Sequence, residues 1–159
     1  MARKTPGGEP IRCGWCGDDP EYIRYHDTEW GVPLRDDRGL FEFLILEGAQ
    51  AGLSWITILR KRENYRKAFA DFDAEKVARF TEKQTAKLLE NPGIVRNKLK
   101  INAAVGNARA FLEVAAKHGS FSKFMWGFVD GKPICNKWKR LDEIPPSTPL
   151  SDTISKELK

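Results

Sequence analysis

Between residues 94 and 119 the chain runs IVRNKLKINAAVGNARAFLEVAAKHG. Ile101, Ala104, Val105, Ala108, Phe111, Leu112 and Ala115 recur there with the period of a helix that buries one stripe. Nowhere does the sequence alternate apolar and polar residues over any length, as a half-buried strand would. Together these features confine the chain to helix-on-helix packing.

The other segments agree. Asp36 or Asp37 caps a helix running to about Gln50 and stopped by Gly52, with Leu40, Leu44, Glu47 and Ala51 on one face. Ser54 caps WITILRKRENYRKAF, residues 55–69. Trp55, Ile58, Leu59, Tyr65 and Phe69 point inward there, and Arg60, Lys61, Arg62, Arg66 and Lys67 point outward. Asp73 starts the short helix AEKVARF, and Thr81 with Gln84 forms a capping box for EKQTAKLLEN, which Asn91-Pro92-Gly93 ends. Gly119 suits the stop of the long helix. SFSKFMWGFV follows, closed by the turn DGKP, and Thr148-Pro149 opens a last helix. The expectation is an all-α fold of about seven helices in one domain over residues 11–159, after a disordered polar tail at 1–10.

That tail, MARKTPGGEP, has no apolar core of a secretory signal, and no apolar run approaches the roughly 18 residues of a membrane span. Three cysteines are a poor basis for a disulfide scaffold, so a reducing cytoplasm is expected and no membrane partner. A formal charge of +5 admits nucleic acid as a partner without requiring it. The glycines form neither a phosphate loop nor a dinucleotide fingerprint.

Four features carry chemistry. The first is LFEFLILEGAQAGLSW, residues 40–55, whose only charges are Glu42 and Glu47. A carboxylate in such company needs compensation. Either backbone N–H groups near Gln50 or Leu53 satisfy Glu47, or it awaits a cationic guest. The second is the density of aromatics: Trp15, Tyr22, Tyr25, Trp30 and Trp55. They suit either a core or the stacking of a cationic base. The third is LLENPGIVRNKLK, a helix, a Pro-Gly turn and a second helix. Gly93 lends the turn backbone freedom, and free N–H groups after it, with Arg96, Lys98 and Lys100, fit a DNA backbone as well as they fit an ordinary helix pair. The fourth is Cys13-Gly14-Trp15-Cys16, which is half a zinc site with His26, a redox pair, or two unligated thiols.

Taken together, these stretches resemble the 3-methyladenine DNA glycosylase I family of the helix-hairpin-helix superfamily. The match lies in RCGW (12–15), DPEYIRYHDTEWGVP (19–33), LFEFLILEGAQAGLSWITILRKRENYRKAF (40–69), GIVRNKLKINAAVGNARAF (93–111) and SDTISKELK (151–159). The resemblance implies a monofunctional enzyme. It flips 3-methyladenine out of alkylated double-stranded DNA and hydrolyses its N-glycosidic bond, leaving an abasic site. It implies Glu47 as the catalytic and base-recognising residue, with Tyr22, Tyr25, Trp55 and Trp15 as the aromatic walls. Leu53 becomes the wedge that fills the duplex gap. Pro92, Gly93, Ile94, Val95 and Arg96, with Lys100, become the phosphate grip. The family's structural zinc maps onto Cys13 and His26. Its other two ligands, a histidine and a cysteine, lie beyond SKELK in the family, and Cys16 offers a substitute thiolate. A monomer is expected.

The chemistry is coherent. A base methylated at N3 carries positive charge and leaves as a neutral molecule, so no acid is needed. Most helix-hairpin-helix glycosylases carry an aspartate shortly after the hairpin; between Asn91 and Val129 there is no Asp and only one Glu, Glu113, which fits an enzyme restricted to bases that are already good leaving groups. A non-catalytic DNA-binding module using the hairpin alone remains the alternative.

Overall fold

The computed structural model describes residues 11–159; the expected tail at 1–10 lies outside the described residues. Nine α-helices and no strand occur among them. They are α1 (Pro20–Thr28), α2 (Asp37–Gln50), α3 (Trp55–Leu59), α4 (Arg62–Ala68), α5 (Ala74–Ala78), α6 (Glu82–Glu90), α7 (Lys98–His118), α8 (Phe121–Gly127) and α9 (Pro149–Glu157). None is long and apolar enough to cross a membrane.

The all-α expectation holds, and two differences account for the larger helix number. Residues 20–28 form a helix that the aromatic cluster masked. Asp19 caps it, accepting from the amides of Glu21 (2.9 Å) and Tyr22 (3.1 Å), with Pro20 in the first turn. The expected helix 55–69 is broken at Arg60 and Lys61. Arg62, expected outward, is buried, because it falls four residues after Ile58 and three before Tyr65 on the same inward stripe.

Local rules explain most boundaries. Asp36 caps α2, accepting from Gly39 N at 2.8 Å. Its neighbour Asp37 turns away to accept from the amides of Phe121 (3.1 Å) and Ser122 (2.7 Å), which fixes the start of α8 against α2. The Thr81–Gln84 capping box is formed. Ser54 makes no capping bond to the backbone; its hydroxyl meets that of Thr57 at 2.7 Å. Asn97, rather than the turn before it, caps α7, so this helix begins at Lys98 and not at Ile94. Gly119 ends it with φ 85°.

The long helix α7 is the axis. Ile101, Ala104, Val105, Ala108 and Phe111 are buried, and α7 packs on α2, α5, α6 and α8. Opposite them α2 buries Phe41, Ile45, Leu46 and Ala49. The stripe expected to face inward, Leu40–Leu44–Glu47–Ala51, is therefore the edge of the buried face. Leu40 and Leu44 are half-buried and pack on the core, while Glu47 and Ala51 are open to solvent.

Candidate active site

Four elements converge beside that edge. Tyr22 and Tyr25 lie three residues apart on one face of α1. Trp30 follows, its amide donating to Tyr25 O at 2.9 Å. A single 3-10 turn, Gly14–Cys16, delivers Trp15. Helix α2 supplies Glu47 and Gln50 from one face, and α3 opens with Trp55. These seven residues line a cleft of about 210 Å³.

Its walls are rings in mutual contact. Trp15 lies 4.9 Å from Tyr22 and 5.3 Å from Trp30, centroid to centroid, and Tyr25 lies 5.5 Å from Trp55. Phe43 stacks behind Trp55 at 6.3 Å. Arg60 donates to Asp19 at 2.5 Å and so ties the end of α3 to the start of α1, closing the frame.

Two polar groups at the cleft, the Glu47 carboxylate and the Trp55 indole N–H, lack a partner among the described residues. Glu47 is open to solvent, yet enough protein surrounds its carboxyl that desolvation alone raises its pKa. Among the described residues its carboxylate has no hydrogen-bond donor and no ion-pair partner. The amide of Leu53, one candidate to satisfy it, donates instead to Gln50 O at 2.6 Å. The second group is the indole Nε1–H of Trp55, buried without an acceptor. It exerts only a weak pull on the neighbouring Tyr25 phenol. Burial first, and then the charge of Glu47, push that phenol's pKa up to about 12, so its proton stays available for donation.

A larger depression of about 400 Å³ lies elsewhere, but its acids are engaged. Asp37 holds the start of α8, and Asp73 caps α5 by accepting from Lys76 N. The aromatic cleft, by contrast, presents an unpaired carboxylate among four indole- and phenol-bearing segments of the chain.

The model of the family described as methyladenine glycosylase matches residues 15–159. The chain belongs to the methyladenine glycosylase family. DNA-3-methyladenine glycosylase 1 of Escherichia coli (strain K12) is 51% identical over 148 residues, covering 93% of this chain and 79% of that protein. DNA-3-methyladenine glycosylase of Haemophilus influenzae is 47% identical over 148 residues, covering 93% of this chain and 80% of that protein. Among solved structures, a 3-methyladenine DNA glycosylase I aligns with TM-score 0.88 at 52% identity, covering 93% of this chain and 81% of that one. The enzyme from Staphylococcus aureus, whose structure concerns 3-methyladenine recognition, aligns with TM-score 0.89 at 41% identity over 92% of this chain and 78% of its own.

In this methyladenine glycosylase the sequence-derived pocket residues, Glu47, Tyr22, Tyr25, Trp55 and Trp15, do meet in one cleft. Trp30, one of the clustered aromatics but not one of the walls the resemblance implies, joins them, as does Gln50, which the sequence reading does not name as a pocket residue. Gln50 had a signal, since it follows Glu47 by three residues on the helix. Leu53 stands on the turn after α2, 40% exposed.

The hairpin differs from expectation in detail. The amides of Gly93, Ile94 and Val95 are taken up inside the protein, by Asn91 Oδ1 (2.8 Å), Asn91 O (3.4 Å) and Tyr65 Oη (3.2 Å). The amides of Arg96, Lys98 and Leu99 are the ones left without an acceptor. Gly93 is required for space rather than for freedom. Its φ is not positive, and a Cβ there would lie 2.9 Å from Asn64 Cβ. Lys100 points inward: its ammonium donates to Ala49 O (2.8 Å) and Ala51 O (2.6 Å).

Cys13 and His26 are neighbours, but the Cys13 amide donates to His26 Nε2 at 3.3 Å, and Nδ1 faces Asp27 at 2.9 Å. Among the described residues no third ligand joins them. Cys16 is not a substitute, because its buried thiol donates to Cys13 O at 3.0 Å. These residues alone do not fit a closed four-ligand zinc site.

Proposed function

We propose that this protein is a DNA-3-methyladenine glycosylase and that Glu47 selects the damaged base. The observation that carries the reading is a carboxylate without a partner among the described residues, lining a cleft of Trp and Tyr rings sized for one planar heterocycle.

The base must leave the duplex stack to reach such a cleft. Leu53 fills the gap it leaves, while the start of α7, with the free amides of Arg96, Lys98 and Leu99, holds the backbone phosphates as a helix-hairpin-helix. Inside, Tyr22, Tyr25, Trp15 and Trp55 stack on the ring, whose positive charge their π faces attract. Glu47 accepts hydrogen bonds from the purine's amino edge and offsets the cation. A neutral adenine entering the same cleft desolvates Glu47 and returns no charge, so discrimination comes from an uncompensated acid. Tyr25 remains a phenol and a donor.

The C1′–N9 bond then breaks with its electron pair going to the base, which departs as neutral 3-methyladenine. Water adds at C1′ and releases one proton, leaving the abasic site. Nothing in this sequence requires a protonated catalytic acid. The double-stranded substrate, a monomer and a cytoplasmic setting complete the reading.

The test is incubation of methylated duplex DNA with the protein, followed by chromatography of released purines. Free 3-methyladenine is expected. Salt-sensitive duplex binding without any released base, from a folded sample, points instead to a non-catalytic DNA-binding module.

A further inference from the structure

Lys100 lies in the first turn of α7, beside Arg96 and Lys98, where a phosphate contact is the obvious assignment. Its side chain does something else. Nζ reaches back to the end of α2 and donates to Ala49 O and Ala51 O at 2.8 and 2.6 Å, across 51 and 49 residues of sequence. These are carbonyls that the end of a helix leaves without partners, at the negative pole of its dipole, and an ammonium suits both properties.

Those carbonyls flank the turn that carries the wedge. Gly52 and Leu53 follow directly, Leu53 N closes on Gln50 O at 2.6 Å, and Trp55 begins α3. Ala49 and Trp55 at its two ends are buried in the core, but the Leu53 side chain is exposed and does not itself hold the turn. A groove of about 220 Å³ separates α2 from α7 there, lined by small residues including Gly48, Ala49, Ala51, Ala103 and Ala104. Lys100 spans it. On the α7 side of the same turn stand the free amides of Lys98 and Leu99.

We propose that Lys100 is a positioning residue: by gripping Ala49 O and Ala51 O it locks the Leu53 turn to the phosphate-facing start of α7. Backbone binding and base extrusion then share one rigid frame. This rests on the glycosylase reading above.

The proposal is tested with Lys100→Met, which keeps the stem and removes the donors, and Lys100→Arg, which restores them. Single-turnover release of 3-methyladenine from duplex DNA should fall by about tenfold to 100-fold in K100M, the upper figure being the loss when a reacting group is held about 1 Å out of place, and should recover in part in K100R. Affinity for undamaged duplex, its salt dependence and the Kd of free 3-methyladenine should stay within about twofold. Amide exchange at Leu53 should accelerate, a readout independent of activity. Unchanged release in K100M overturns the proposal. So does a salt slope reduced by about one, the mark of a lost phosphate contact. Loss of free-base binding, or a K100M that no longer melts cooperatively while K100R does not recover, also overturns it, since either makes the residue merely structural. The wild type is the control: if it releases no base, the glycosylase reading itself fails, and this role with it.

Discussion

Glu42 and Glu47 sit on the same helix, five residues apart, and have opposite fates. Glu42 is 8% exposed and wrapped in guanidinium groups: Arg62 Nε donates to it at 2.7 Å and Arg66 Nε at 3.0 Å. Arg62 also reaches Glu29 at 2.5 Å, stitching the end of α1 to α2 and α4, and its guanidinium lies 5.2 Å over the Phe43 ring. Burial alone would lower the Arg62 pKa, but its two carboxylate partners outweigh that and raise it. Glu47 is open to water and has no partner among the described residues. One acid is matched and ties the fold together; the other is unmatched, and in the proposed reading that leaves it free for the substrate.

The sharpest way to break the comparison is to remove the matched acid. Glu42→Ala strands Arg62 in the interior. Breaking one side of a buried pair costs about 3–5 kcal/mol, and the lower end applies because Glu29 still holds Arg62. That is roughly 10 °C in Tm for a chain of this size. Thermal melting checks it. A shift of only a degree or two would mean the cluster contributes little.

The unmatched acid should behave in the opposite way. Glu47→Gln keeps the shape and removes the charge. Loss of a hydrogen bond to a charged group is worth about 1.5–3 kcal/mol, so excision should fall roughly 100-fold, or ~2.7 kcal/mol in kcat/KM. Release assays on methylated duplex read it directly. Full activity in a well-folded variant removes Glu47 from the mechanism.

These two residues also show what the sequence could and could not carry. Helix class and most caps are local signals, so Asp36, Thr81–Gln84 and Gly119 were legible. Helix α1 also carries its start signal in Asp19-Pro20. Of the two charges in the apolar run, Glu42 rather than Glu47 is the buried one, because the inward face of α2 runs through Phe41, Ile45, Leu46 and Ala49 and leaves the Leu40–Leu44–Glu47–Ala51 stripe at its edge. Periodicity alone places Arg62 inward with Ile58, Tyr65 and Phe69, but its carboxylate partners lie 20 and 33 residues away, where no local pattern reports them. The same holds for Lys100, whose acceptors are 49 and 51 residues distant. The pocket residues were legible through family resemblance; their convergence from four separate elements was not available to local reasoning.

A milder cut within the matched cluster sharpens the contrast. Arg66 is 34% exposed and contacts both Glu42 and Glu63. Arg66→Ala leaves Glu42 its Arg62 partner, so the expected loss is about 1 kcal/mol, near the upper range of surface pairs. Chemical denaturation measures it, and a loss equal to that of Glu42→Ala would show that Arg66, not Arg62, anchors the cluster.

The smallest effect is the most diagnostic. Desolvation raises the pKa of Glu47 in the folded protein above its ordinary value of 4.5. For an acid shifted upward, the folded state is penalised once the group ionises. Stability therefore declines as pH rises from the unfolded pKa through the folded one, and the penalty persists above that window. Glu47→Gln abolishes the penalty. At neutral pH the variant should equal or exceed wild-type stability, by no more than about 0.5 kcal/mol, as for a surface substitution. The difference should vanish in acid, where Glu47 is protonated in both states. Wild-type excision should fail in the same acidic window, at a higher pH than an ordinary glutamate would dictate, because only the carboxylate pairs with the cationic base. Melting curves of both proteins across pH, set beside the excision profile, check the two halves together. A Glu47→Gln variant clearly less stable than wild type at neutral pH would show that this acid supports the fold, and the division of labour between the two glutamates would fall.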